Sequence, residues 1–471
     1  MGKKRIWLGV SLLVLLFATR SFAQMNGYVE FFGYSSRSAA MGGAMVGIAE
    51  GIDALAYNPA ALALTRNSVS LQVQYFPSSK LMVNDTNCGP NGVGVLVGLT
   101  QRALRDRLGL GVSFSMVASV GGGGGGGGLP MIGGSSGYSW PMYGGPTIPA
   151  YYGFALRLHD TLGVGVMPTS NLWIRTSPIE LGLTQILQGV LGMSIGAPAT
   201  DINPNIGLGT SAEDLKWSFS VAWRPLKYVS MGYVNTPLTK TRLRVPITIR
   251  GGGVIDDIHT MIMSDISTSP PTQQYGVGLN IPLPLSKLTL AWSQQILGFG
   301  KLHDELYGDF LKYDDPALKN AVSVNYGAPS PIKDATINRF GAEYVLGLAC
   351  LPGVPKALER RNAQLAFRGG YFQWKSPLPD TLHGRDFDND ANVYSMGLGL
   401  AFDRANRSSL EKPMRNQQFA VDMHVQYLDI AKKDYQLTYD YWGNPRSPGD
   451  LYYFHTEGQI WVVGLELSWL H

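Results

Sequence analysis

Arg157, Arg224 and Arg368 each stand one position out of step with the large apolar residues beside them. In Leu156-Arg157-Leu158-His159 the leucines and the ionisable groups fall on opposite faces of an extended chain, and the same reading applies to Lys216, Glu343, Asp422, His424 and Glu466. A guanidinium held this way takes a carboxylate through two parallel hydrogen bonds. That carboxylate can belong to another segment of the same chain, because a buried charge needs a partner, or to the head group of a ligand. Both roles stay open for Arg157, Arg224 and Arg368 as lumen residues that bind a ligand.

Other chemistry is poorly supported. Gly192-Met193-Ser194-Ile195-Gly196 matches G-x-S-x-G, but it follows a helical pattern where a nucleophile elbow needs a strand. The glycines from Gly121 to Gly128 lack the Gly-Lys-Ser/Thr of a phosphate loop. Asp386, Asp388 and Asp390 alternate like the start of a calcium loop without its sixth-position Gly or twelfth-position Glu, and the histidines show no zinc spacing. No catalytic residue, metal or cofactor is expected, and the chain is not read as an enzyme. A net charge of +4 gives no electrostatic case for nucleic acid.

What must position the arginines is a set of strands. Arg107 to Ser119 reads RLGLGVSFSMVAS, with Leu108, Leu110, Val112, Phe114 and Met116 on one face and mostly Gly and Ser on the other. About fourteen such segments follow one another, near 68–76, 92–101, 107–119, 150–159, 161–174, 214–224, 227–239, 273–282, 286–297, 338–346, 363–374, 392–402, 417–428 and 459–470. Most have the length of a tilted strand crossing a bilayer, and the connections alternate long and short, as in an outer-membrane barrel. A soluble sandwich or propeller would have no reason to sort its loops this way. The expected fold is all-β, a transmembrane antiparallel barrel of about 14 strands. Trp173, Trp223, Tyr228, Trp292, Trp374, Tyr394 and Trp469 fit interfacial girdles.

Composition agrees with that reading. Charged residues make up 15% of the chain, well under the roughly 25% of soluble domains. Residues 1–23, with Lys3-Lys4-Arg5, an apolar run and Ser21-Phe22-Ala23, read as a signal peptide. Cys88 falls in the first long loop and Cys350 in a short turn, so a membrane is expected between them. A barrel this wide cannot fill its lumen with its own side chains. Residues 24–66 are available to do so: they are alanine-rich and barely charged, and Asn58-Pro59-Ala60 is expected to mark where the chain leaves a compact plug towards the first strand, with the Asn58 side chain bonding nearby backbone. Residues 67–471 then form the barrel.

The run Ser35-Ser36-Arg37-Ser38-Ala39-Ala40-Met41-Gly42-Gly43-Ala44, with Asn58-Pro59-Ala60 before strand one, resembles the FadL/TodX family of outer-membrane transporters for long-chain fatty acids and hydrocarbons. Where that family carries an acidic pair in the plug, this chain has Glu50 and Asp53. The resemblance implies a plug gating the barrel, capture of a hydrophobic small molecule outside, and sideways release into the lipid of the bacterial outer membrane by a monomer. Asn58, Pro59 and Ala60 are then gating residues. In the third long loop Leu183, Ile186, Leu187, Val190 and Leu191 recur at helical spacing from Ile179 onward and are expected to line the capture groove. FadL-like barrels also resemble the shuttle proteins of type IX secretion, which bind protein cargo at the cell surface; that alternative shares the plug motif.

Overall fold

A computed structural model of the chain describes residues 32–83, 86–87, 92–119, 150–170, 172–175, 179–182, 207–209, 215–250, 258–302, 312–313, 333–348, 355–356, 362–377, 381–382, 389–403, 418–437 and 452–470. Fourteen strands close the main sheet, to which the two-residue segments Thr86–Asn87 and Thr381–Leu382 add at its rim: β1 Ser68–Val83, β2 Gly92–Ala103, β3 Leu108–Ser119, β4 Ala150–His159, β5 Leu162–Ser170, β6 Leu215–Leu226, β7 Val229–Thr236, β8 Thr272–Leu283, β9 Ser286–Leu297, β10 Ala335–Gly347, β11 Gln364–Trp374, β12 Ala391–Asp403, β13 Gln418–Leu437 and β14 Tyr452–Leu470. Each pairs antiparallel with its neighbour in the chain, and β14 closes on β1 with Ser68 opposite Leu470. Closure removes both sheet edges, which is what a sheet must do to satisfy its backbone in lipid.

The period-two pattern sets the two faces. Leu71, Val73, Trp217, Phe219, Trp223, Leu465 and Leu467 stand exposed on the outer wall, while their chain neighbours Ser70, Gln72, Ser218, Ser220 and Glu466 are buried inside. A continuous greasy outer wall over a polar-lined interior is the inverse of a soluble protein, and lipid is the solvent that suits it. No helix among the described residues is long and apolar enough to cross a membrane.

Four expectations need correction. The third long loop begins as a strand, because Ile179–Gly182 pairs in parallel with Thr239–Arg250, so the helical spacing that starts at Ile179 loses to backbone pairing there. Leu183, Ile186, Leu187, Val190 and Leu191 lie outside the described residues, as do Cys88, Cys350, Asp386, Asp388 and the glycines Gly121 to Gly128. The stretch expected to be loop at 240–272 holds two paired strands, Thr239–Arg250 and Ile258–Ser269, which with short segments from neighbouring loops build a separate six-stranded sheet. Its signal was present in Leu243, Val245, Ile247 and Ile249, although arginines and threonines on alternate positions hid it. Trp374 is not a girdle residue: it is 2% exposed and faces the lumen, edge-on to Phe299. Finally, Pro59 does not mark the exit from the interior, for the buried chain continues through Pro59–Ala63 as a 3₁₀ turn.

Candidate functional site

Residues 32–65 lie among inward-facing strand residues and build a buried apolar cluster with them, Met41, Met45, Ile52, Leu55 and Leu62 joining Leu96, Tyr151, Ala155, Met167, Ala222 and Ala291 of the wall. Local chemistry folds the segment. Ser35 and Ser38 cap helix α1 (Ser36–Ala40) reciprocally, and Gly42 and Gly43 then take positive φ to turn the chain back. A second short helix, α2 (Asp53–Tyr57), runs into Asn58, and Pro59 opens the 3₁₀ turn at the position where its missing N–H costs nothing.

Asn58 is the tie between segment and wall. Its Nδ2 donates to the Val46 carbonyl at 3.0 Å and to the Val221 carbonyl on β6 at 3.1 Å, while the Ala60 N–H donates to Ser220 Oγ at 2.9 Å. The expected bond from Asn58 to backbone at its own turn does not form: its side chain makes no cap bond on the 3₁₀ turn and reaches Val46, twelve residues back, and the barrel instead. Backbone approaches backbone so closely here that only glycine fits opposite. A Cβ on Gly232 would sit 2.0 Å from the Val46 oxygen, and one on Gly370 would sit 2.1 Å from the Gly42 nitrogen.

On the other side of the lumen ionic contacts are added to close backbone ones such as Gly370 against Gly42. Arg37 of α1 donates through Nε and Nη2 to the two oxygens of Glu343 on β10, at 2.8 and 3.0 Å. Arg368 on β11 donates to the same carboxylate at 2.7 Å and to Asp422 on β13 at 2.5 Å. Glu466 on β14 accepts the Ser36 N–H at 2.8 Å. Burial pushes the Asp53 carboxyl of α2 up to about 6, against the pull of Arg37 and Arg368.

Inward-facing residues differ between the two ends of the barrel. Towards the long loops, β9 to β14 turn a run of buried apolar side chains inward, Leu297, Ile337, Phe372, Trp374, Val393, Leu428, Ile430, Ile460 and Val462, with Gln295, Gln426 and Thr456 buried beside them and the polar Ser218, Thr236 and Thr272 on β6 to β8. Arg339 marks the floor of this half, its guanidinium 4.2 Å from the Phe372 ring centre and bonded to Gly42 O and Gln295 Oε1. Towards the short turns the lumen is polar and holds two cavities of about 230 and 280 Å³.

The three predicted lumen arginines do not come together. Arg368 has its donors engaged by Glu343 and Asp422. Arg157 lies at a short turn, paired with Asp160 at 2.8 Å. Arg224 borders the larger cavity with Glu50 at 4.0 Å. Arg339, Lys227 and Lys287 were not singled out from the sequence; Lys287 had a signal, since it shares the parity of inward-facing Thr289 and Ala291.

No protein-family model matches the chain, and no curated protein sequence does. Among solved structures, a FadL homologue from Pseudomonas aeruginosa aligns over 96% of this chain and 98% of its own, with 13% identity and a TM-score of 0.52. The CymD monoaromatic hydrocarbon channel aligns over 94% and 98% at 13% identity with a TM-score of 0.46. For the P. putida toluene transporter TodX the figures are 94%, 99%, 12% and 0.44. The long-loop and short-turn arrangement, the outward apolar wall and the first of these alignments lead to one statement of kind: the chain has the FadL fold, a closed fourteen-stranded transmembrane barrel of the bacterial outer-membrane type.

Proposed function

We propose that the protein is a passive outer-membrane transporter of hydrophobic small molecules, with residues 24–66 as a plug and 67–471 as the barrel. One observation carries this reading: β9 to β14 turn a run of buried apolar side chains into the long-loop half of the lumen, and that run ends on the buried N-terminal segment, at Arg339, Gly42 and Gly43. A water-filled porin has no use for Leu297, Ile337, Phe372, Val393 and Ile460 pointing into its channel, whereas a chain or ring entering from outside gains about 0.8 kcal/mol per buried CH₂. The fold shared with the FadL homologue fits the same conclusion. Capture by Leu183, Ile186, Leu187, Val190 and Leu191, gating around Asn58, Pro59 and Ala60, and sideways release into lipid belong to this proposal, as does action by a monomer after loss of residues 1–23.

Uptake of a radiolabelled alkane, an aromatic hydrocarbon and a long-chain fatty acid by cells with and without the protein tests it. Val393→Asp and Ile460→Asp place a charge on the buried apolar run and should abolish uptake, with barrel assembly checked by heat-modifiable gel migration. Leu183→Asp and Leu187→Asp should weaken uptake at the capture step. Wild-type uptake no faster than in cells lacking the protein would end the transport reading.

A further inference from the structure

The 280 Å³ cavity at the short-turn end carries an excess of positive charge on its own lining. Arg37, Arg224, Lys227 and Lys287 line it, against the single carboxylate of Glu50. The neighbouring 230 Å³ cavity shares Arg37, Glu50 and Lys287 with it and adds Arg66 and Arg368 against Asp53, Glu343, Asp422 and Glu466. With Arg37 bonded to Glu343, the excess in the first chamber is that of Arg224, Lys227 and Lys287 over Glu50. Glu50 stands between Arg37 at 3.8 Å and Arg224 at 4.0 Å, both at the outer edge of ion-pair distance, and its side chain is 52% exposed. Neither arginine holds it closely, and Arg37 directs its short bonds to Glu343 instead.

The geometry points to an oxyanion site at the periplasmic mouth of the barrel, built by Arg224, Lys227 and Lys287, in which Glu50 of the N-terminal segment stands in for the anion when none is bound. The chemistry is that of a carboxylate or phosphate group: Arg224 supplies the planar fork, the lysines supply point charges, and Ile48, Leu226 and Val229 form an apolar side wall for the first carbons of an attached chain. The cavity falls just under the roughly 300–1,000 Å³ of sites that enclose whole small molecules, so it takes a head group or a small free anion and no long chain. The assignment of a carrier role to this site rests on the transport reading; anion binding itself does not.

Calorimetric titration of the full-length protein in an uncharged detergent with decanoate, decanol and inorganic phosphate tests the site. Decanoate should bind and decanol should not, with Arg224→Gln/Lys287→Gln weakening decanoate at least tenfold. Glu50→Gln should tighten it several-fold, because the internal competitor is gone. Decanoate binding much tighter than phosphate assigns the site to an amphiphile's head; equal binding assigns it to a free oxyanion, and either result supports it. The proposal falls if neither anion binds, if decanol binds equally well and the double variant is unaffected, or if Glu50→Gln weakens binding. Alkane uptake by the double variant reports on transport separately, since an alkane has no head group to hold.

Discussion

Glu343→Gln should unseat the N-terminal segment without unfolding the barrel. The carboxylate accepts three short bonds, two from Arg37 and one from Arg368, and its side chain is only 5% exposed. Glutamine keeps the shape but loses the charge, leaving Arg368 with Asp422 and Arg37 with nothing nearer than Glu50. Breaking a buried pair from one side costs about 3–5 kcal/mol. Arg37 is 18% exposed and recovers some hydration, so about 2–4 kcal/mol is the reasonable range here. At about 1.4 kcal/mol per decade, the unseated population rises roughly 30- to 700-fold. Hydrogen exchange by mass spectrometry over residues 36–63 reads this directly, with single-channel conductance in a planar bilayer as the functional measure. Arg37→Met combined with Glu343→Gln removes the stranded cation and should recover much of the protection. Exchange in Glu343→Gln as slow as in wild type would refute the idea that this ion group holds the segment down.

Deleting residues 27–57 should turn a closed protein into one that conducts ions, and a folded deletion variant as closed as wild type would remove the plug from the account. Gly232→Val places a side chain on the Val46 carbonyl and should raise exchange across 45–60 while the strands stay protected. Because burial raises the Asp53 carboxyl from 3.8 to about 6, the seated segment holds a proton that the released one gives up. Seating is strongest below about pH 4 and loses up to about 3 kcal/mol as pH rises to about 6, levelling off above. Asp53→Asn should flatten the pH dependence of conductance over that window. Cys88 and Cys350 should not bond, whatever the oxidant, since the described residues nearest them lie at opposite ends of the wall; a peptide map linking the two would overturn the strand order.

The strands were legible because lipid on one side and a polar lumen on the other enforce strict alternation, so Trp217, Phe219, Val221 and Trp223 announce their own face. Strand ends were less so: β13 runs on to Leu437 and β14 begins at Tyr452, past the stretch where alternation is apolar. The N-terminal segment was visible through its small residues, yet Pro59 misled, because a proline that ends an α-helix can equally start a 3₁₀ turn. Nothing in a single sequence says that Arg37 meets Glu343, which lies 306 residues away. Parity alone put Glu343, Arg368 and Asp422 inside, and the pairing among them depends on barrel closure. The inward glycines were the unused signal: the Gly-x-Gly pairs at 109 and 111, 163 and 165, and 276 and 278 sit where the segment touches the wall.

Those glycines and the charged residues hold the segment in physically different ways. From β3 to β8 the contacts are close and neutral, with Leu62 over Gly109, Ala60 over Gly165 and Gly47 over Gly276. Dispersion of that kind is lost outright when surfaces part, and water returns little of it. From β10 to β14 close neutral contacts recur, with Met41 over Gly341, Gly42 over Gly370 and Ala40 beside Gly397, and ionic ones are added to them through Glu343 and Glu466, whose charges regain hydration once exposed. Substitutions at the glycines on either arc should therefore act through volume and be indifferent to salt, whereas those at Glu343 and Glu466 should act through charge and vary with pH. A segment held by packing on both arcs and by ions on one should respond to salt through the β10 to β14 arc alone, and hydrogen exchange of Gly232→Val and Glu343→Gln at low and high salt reads that difference.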